Sequence, residues 1–375
     1  MRSLFPPTLC LIAFLIPQSA FSAAPAKDAT VDELLKKLPP PEKLVKDPVQ
    51  RAARQEDPAL KDRLGGEVIA AIESGNESGA INLGHKLIER YPQSAASHCL
   101  YGAVLMVCRK FPGAEAEFQQ AVKLKNDFSL AYFLLGAIQA VEKQFGSALP
   151  NARKVTSLEP KEPLGWMLVS ECQSGLGHKE EAVQSARQAT VVSPAYLPAW
   201  LELARAEKEA GNMSECLHAV LRGADLSPDS SYMLATVGYA YINLNRIPEA
   251  VAPLQRAAHF SPNDFLVQSQ LGFCLLMTGQ TEAAIDHLRK GSKLVNDYAP
   301  VWEHLGLAYA KQGRHRDAVT AFERATKIMP NYKQAWEHLA TEYRLVGRPT
   351  EDAQAAAHAA HVKSPSPSAT KTKKS

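Results

Sequence analysis

The stretch Ala299 to Pro330 reads APVWEHLGLAYAKQGRHRDAVTAFERATKIMP, and its pattern decides the fold. Two amphipathic segments meet at Gln312-Gly313-Arg314 and stop at Pro330. Advancing by 34 residues brings Trp336 into the place of Trp302; going back brings Trp200 and Trp166 into the same slot. A fixed period of this length marks a helical solenoid, in which each unit buries its apolar face only against its neighbours.

Taking Ala299 as position 1, units begin at Lys61, Ala95, Ser129, Pro163, Leu197, Ser231, Phe265, Ala299 and Lys333, with no insertion between them. Position 8 holds a small residue (Gly102, Gly136, Ser170, Ala204, Gly238, Gly272, Gly306, Ala340), as does position 20 (Ala80, Ala114, Ala148, Ala182, Cys216, Ala250, Ala284, Ala318). These two columns are expected to face each other and bring the helices of one unit close. Small residues at position 27, such as Ala121, Ala189, Gly223, Ala257, Gly291 and Ala325, are expected to seat the second helix on the next unit. Positions 4, 7, 8 and 11 fall on one face of a helix, as burial requires. Proline at position 32 (Pro92, Pro160, Pro194, Pro228, Pro262, Pro330) restricts the residue before it and ends the second helix. Pro150 and Pro253, inside second helices, are expected to kink them.

The set Trp302, Leu305, Gly306, Tyr309, Gly313, Ala318, Phe322, Ala325, Pro330 resembles the tetratricopeptide repeat (TPR), residue type by residue type, over nine units from Lys61 to about Ser364. The resemblance implies an all-α fold: a right-handed superhelical solenoid of antiparallel helix pairs with a concave groove. The first unit, with Leu64, Glu67 and Val68 at the key positions, and the last, with Asp352 at position 20, depart from the pattern and read as capping ends.

Outside the array the composition changes. Met1-Arg2, the apolar run Leu9 to Ile16 and the small residues Ala20-Phe21-Ser22 form an export-signal pattern over 1–22. The run is shorter than the ~20 residues that span a bilayer, so no membrane span is expected in the mature chain. Residues 23–60 read as a Pro/Lys-rich linker, 61–363 as the solenoid and 364–375 as a disordered basic tail. The expected location is periplasmic or secreted.

A net charge of +3 with no basic stripe on the repeats argues against nucleic-acid binding. Of the cysteines after residue 22, Cys99 and Cys108 are nine residues apart on one helix, about 13.5 Å of rise, too far to bridge. Cys172 and Cys274 share one repeat position three units apart, and Cys216 replaces a packing alanine, so all read as small buried residues. His304 and His338 occupy position 6 of adjacent units and His358 and His361 are three apart, but neither pair has a third ligand at metal spacing. No phosphate-binding loop or nucleophile elbow is present. The register leaves no room for a catalytic domain, so neither enzyme activity nor a cofactor is expected.

In the resembled family, positions 2, 5, 9, 12 and 13 of first helices line the groove. Here they give Phe133, Met167, Leu201, Tyr239, Ile242, Phe273, Leu276 and Met277, with Glu171, Arg205, Lys208, Glu209 and Asn243 among them. Such a mixture suits a peptide segment or helix of another protein, although a stripe at this spacing also fits packing between repeats. The carboxylate clamp of chaperone-adaptor TPR domains is absent: Phe133, Ala137, Leu164 and Leu168, or Leu201, Arg205, Tyr232 and Thr236, stand there. The expected function is a protein-interaction scaffold in assembly of an envelope or secretion complex. A substrate-delivery subunit of a transferase or peptidase, and self-association through end repeats, are the alternatives.

Overall fold

The structure, a computed structural model, describes residues 57–362. The signal pattern over 1–22, nearly all of the linker and the 364–375 tail lie outside the described residues. Among the described residues every regular element is a helix, and none is long and apolar enough to cross a membrane.

A single turn, α1 (Pro58–Lys61), precedes nine helix pairs. These are α2 (Arg63–Glu73) with α3 (Glu77–Arg90), α4 (Ala95–Val107) with α5 (Phe111–Leu124), and α6 (Ser129–Val141) with α7 (Phe145–Leu158). Then come α8 (Pro163–Gly175) with α9 (Lys179–Val192), α10 (Leu197–Ala210) with α11 (Met213–Leu226), and α12 (Ser231–Asn243) with α13 (Ile247–Phe260). The last are α14 (Phe265–Met277) with α15 (Thr281–Leu294), α16 (Ala299–Lys311) with α17 (His315–Ile328), and α18 (Lys333–Leu345) with α19 (Pro349–His361). From the second pair onward the first helix begins at position 1 of the 34-residue register. The chain forms two compact parts, one up to Ser227 and one from Pro228. In each, a second helix packs on its own first helix and on the next.

One backbone device repeats in every pair. Position 15, between the two helices, has a left-handed φ: at Gly75, Gly177, Gly211, Gly279, Gly313 and Gly347, and also at Arg109 (56°), Lys143 (62°) and Asn245 (58°). Glycine adopts that conformation without a Cβ clash. Asn245 tolerates it better than most side chains, whereas at Arg109 and Lys143 the repeat geometry imposes it on side chains that resist it.

The closeness of each pair is set at position 8, and its main partner differs from the expected one. A Cβ on Gly306 would stand 2.6 Å from the ring of Phe322, on Gly102 2.7 Å from Phe118, on Gly238 2.5 Å from Leu254 and on Gly272 2.6 Å from Leu288. All four neighbours are position 24, not position 20. Position 20 contributes backbone: the Ala284 carbonyl oxygen lies 3.2 Å from such a Cβ on Gly272, and that of Ala148 3.4 Å from one on Gly136. In four of the five units with glycine at position 8, position 24 is Phe or Leu, whereas the units with Ser170 and Ala204 carry the smaller Ala186 and Val220 there; the fifth, with Gly136, has Ala152, and its nearest neighbour is Leu168 of the next pair. Position 27 behaves as expected, with a Cβ on Gly291 just 3.4 Å from Val301 of the following pair.

Position 4 does more than fill space. The indole N–H of Trp166, Trp200, Trp302 and Trp336 donates to the carbonyl six residues back (Pro160, Pro194, Asn296, Pro330), each at 2.9 Å. Gln268 makes the same bond to Pro262, and His98 Nε2 stands 3.1 Å from the Pro92 oxygen. Leu234 has no donor, and there Arg256 donates to Pro228 O at 2.9 Å from the second helix. The interhelix loop is thereby tied down although its carbonyl has no helical partner.

Two local expectations change. The α1 turn, placed by the register in the linker, is part of the fold: Ala59 is fully buried with Leu100 and Val104. The first helix of the first pair starts late, at Arg63, because the Asp62 carboxylate caps it through Leu64 N (2.8 Å) and also accepts from Tyr91 Oη (2.6 Å). The helices carrying Pro150 and Pro253 each continue through the proline as one element.

Candidate functional site

A helix pair turns its position 8 and 11 faces inward, so partner contacts must use what the first helix leaves outside. In the part ending at Ser227, Phe133 is half-buried between two core clusters. Met167 and Glu171 are buried, Met167 in a core with Ala189 and Ala199. These two residues, expected on a groove, lie in the packing between helices, because adjacent first helices approach each other there. Leu201 is half-buried and Lys208 exposed.

Arg205 is held rather than free. Its guanidinium donates to Glu202 at 2.5 and 2.9 Å and to Glu209 at 2.8 Å, and Glu202 Oε1 also accepts from Ser170 Oγ at 2.6 Å. Burial alone would lower its pKa, but the two carboxylates outweigh burial and raise it, so the charge is permanent. The Glu202 carboxylate is fully buried, and its pairing with Arg205 and Ser170 compensates for lost water.

In the part from Pro228, Tyr239 is half-buried, Asn243 exposed and Met277 58% exposed. Phe273 is half-buried, its ring 4.8 Å from that of His304. It therefore belongs as much to the packing as to the face. Ile242 is half-buried and Leu276 is buried.

The histidines singled out in the sequence are structural partners. Glu303, buried, lies 3.4 Å from His304 Nε2 and 3.1 Å from His338 Nδ1. Burial lowers the His304 pKa, with Glu303 opposing. His358 stacks on Trp336 at 4.6 Å. Among the described residues no group of three His, Cys, Asp or Glu side chains is arranged to hold a metal ion. Cys99, Cys172, Cys216 and Cys274 are buried and free, and burial pushes the Cys99 thiol up to about 12.

One polar feature escaped the sequence reading. Position 11 of three successive pairs carries Gln139, Gln173 and Glu207, all buried. Gln139 donates to Glu115 and accepts from Asn151, both at 2.8 Å; Gln173 donates to Glu181 (3.1 Å) and accepts from Ser185 (2.6 Å). Glu207 accepts from Arg187 and Asn212 at 2.8 Å. In the other part the same position holds Tyr241, Tyr309 and Tyr343, covered by Arg246, Arg314 and Arg348 at 5.0, 4.3 and 4.5 Å. The signal available was the paired column: tyrosine at 11 goes with arginine at 16.

Residues 123–291 match a family model described as tetratricopeptide repeat, and residues 299–332 match a second model of the same description. Together they span more than half of the 375 residues. None of the curated proteins matches. Among solved structures, one of MamA is 22% identical and covers 42% of this chain and 92% of its own, with a TM-score of 0.40. A MamA fragment from Desulfovibrio magneticus RS-1 is 19% identical, covering 44% and 94%, with a TM-score of 0.42. YrrB, described as a TPR protein with an unusual peptide-binding site, is 17% identical, covering 50% and 96%, with a TM-score of 0.45.

Proposed function

This chain belongs to the tetratricopeptide repeat family, and we propose that it is an exported, non-enzymatic scaffold that holds a segment of another protein along its first-helix face, in assembly of an envelope or secretion complex. The observation that carries the reading is the contrast along that face. Leu201, Lys208, Asn243 and Met277 remain partly or fully accessible at the family's contact positions, while Met167, Glu171 and Leu276 at the same class of position are buried in the packing. In the part from Pro228, an exposed methionine and an exposed amide at the same position of adjacent repeats offer apolar and polar area, which suits a peptide. Export rests on the Met1 to Ser22 pattern alone, and the envelope role follows from export.

The test is affinity capture from the native compartment with the wild-type chain and with Leu201→Asp and Met277→Asp. The reading expects one set of bound proteins to be lost from both variants while helicity and melting stay unchanged. Retention of the full set by both variants would move binding elsewhere. Mass spectrometry of the chain's own N-terminus, taken from fractionated cells, tests export separately.

A further inference from the structure

A basic stripe that the linear sequence does not display, because its members come from three separate helices, is assembled by the register in the part from Pro228. Position 26 holds Arg256, Lys290 and Arg324, and position 29 holds His259, Lys293 and Lys327; no carboxylate stands at either position in these three repeats. The two positions share one face at the C-terminal ends of the second helices α13, α15 and α17. Contacts join the three ends. His259 and Lys290 line one notch of about 350 Å³ with Gln255 and Asp286, and Arg324 Nη2 stands 3.5 Å from Asn296 O, two residues past Leu294. From Pro228 to Val362 Lys and Arg equal Asp and Glu in number, so the stripe is a segregation of charge and not an excess. Elsewhere in this part Arg246 pairs with Glu249, Arg314 with Asp317 and Arg344 with Asp352, whereas among the described residues Lys290, Lys293 and Lys327 make no ion pair.

Apolar side chains crown the same ends. Phe260 (42% exposed) and Leu294 (39%) directly follow the position 29 residues, and Met329 (39%) stands two residues past Lys327. His259 braces the Phe260 ring edge-on at 5.4 Å. The helix dipole accounts for a cation in the last turn; it does not account for an exposed apolar side chain beside each one. We propose that the C-terminal ends of α13, α15 and α17 dock on an anionic phospholipid surface, with Lys290, Lys293 and Lys327 on headgroup phosphates and Phe260, Leu294 and Met329 dipping into the interfacial layer. Each repeat offers the same two elements, and a lipid surface satisfies them without matching any sequence register. The flexible lysine stems let charge reach the phosphates while apolar neighbours sit deeper. A soluble polyanion, whether nucleic acid or acidic peptide, would meet the cations and leave the three apolar side chains in water. The edge uses second-helix and loop residues alone, leaving Asn243 and Met277 out of the contact.

The test is flotation of the full chain with vesicles of phosphatidylcholine alone and of equimolar phosphatidylcholine and phosphatidylglycerol. The gain on adding the anionic lipid is the readout, which cancels what the apolar run Leu9 to Ile16 contributes to both. Each lysine at an anionic surface strengthens binding roughly fivefold, so Lys293→Gln with Lys327→Gln should cut the gain roughly 25-fold. Phe260→Ser with Leu294→Ser should weaken binding to the anionic vesicles several-fold while leaving retention on heparin, a soluble polyanion, unchanged. No gain for the wild type, a gain that survives the lysine substitutions, or undiminished vesicle binding by the serine pair overturns the proposal; the last result would mark the edge as a polyanion site. Should the serine pair lower the melting temperature, Phe260→Trp decides. Its fluorescence, taken against that of the wild-type tryptophans, is expected to be quenched by acyl-brominated lipid, and no quenching overturns insertion. No partner protein enters the readout and no first-helix residue is changed, so this inference and the scaffold reading fail separately.

Discussion

Replacing Gly306 by alanine probes the contact that sets the spacing of each helix pair. The new Cβ would sit 2.6 to 2.8 Å from three ring atoms of Phe322, a side chain with no exposure and so no direction in which to withdraw. Overpacking of this kind costs about 1–3 kcal/mol. Alanine's helix propensity returns about 1 kcal/mol relative to glycine, so the single change is expected to destabilise by about 0–2 kcal/mol. That range is too close to zero to be decisive, and the informative quantity is the coupling with position 322. Phe322→Val empties the space the Cβ needs and recreates the pairing of Ala204 with Val220. In that background the overpacking is gone and Gly306→Ala should become stabilising by about 1 kcal/mol, giving a coupling of about 1–3 kcal/mol in a double-mutant cycle. Urea unfolding followed by circular dichroism, fitted with a nearest-neighbour model because repeat arrays need not unfold in two states, measures it. Additivity within about 0.5 kcal/mol would refute the idea that positions 8 and 24 set the pair's spacing.

Three further outcomes follow from the same geometry. Arg109→Gly and Lys143→Gly should each stabilise by about 0.5–1 kcal/mol in urea titrations, because relief of the left-handed backbone exceeds the added chain entropy, with a smaller gain for Asn245→Gly because asparagine tolerates that conformation; a loss at both Arg109 and Lys143 would contradict this. His287 and His304 have pKa values lowered below 6.5, first by burial, so folding favours their neutral forms. That stability is present above pH 6.5 and is lost as pH falls through the lower folded-state values. The melting temperature of wild type should therefore drop below pH 6.5, and the drop should shrink in a His287→Gln, His304→Gln chain. Phe273→Ala should lower the melting temperature measurably by removing the ring packed on His304, whereas Met277→Ala should leave it nearly unchanged.

The period was legible because helix-pair packing forces small side chains to return in phase, and nine returns leave little freedom for another fold. What faces what was less legible. Position 8 pairs with the side chain at position 24 and with backbone at position 20, a distinction set by the tilt between two helices and not by spacing along one. The position 4 tryptophans read as bulk, yet their indole N–H reaches a loop carbonyl whose location depends on the turn at position 32. Met167 and Glu171 stood at contact positions by register, but adjacent first helices approach closely enough to bury both. Pro58 to Leu60 looked like linker because proline and charge surround them, whereas Asp57 and Ala59 fasten that turn to α4.

The scaffold reading is tested most directly by a photo-crosslinking amino acid placed in turn at positions 208, 243 and 277 on first helices, and at Val191 on a second helix, in cells expressing the chain. Position 191 is 66% exposed and serves as an accessible reference. The account predicts discrete adducts to the same partner from the first-helix positions and none from position 191. Adducts confined to position 191, or none beyond background at all three first-helix positions, would contradict it.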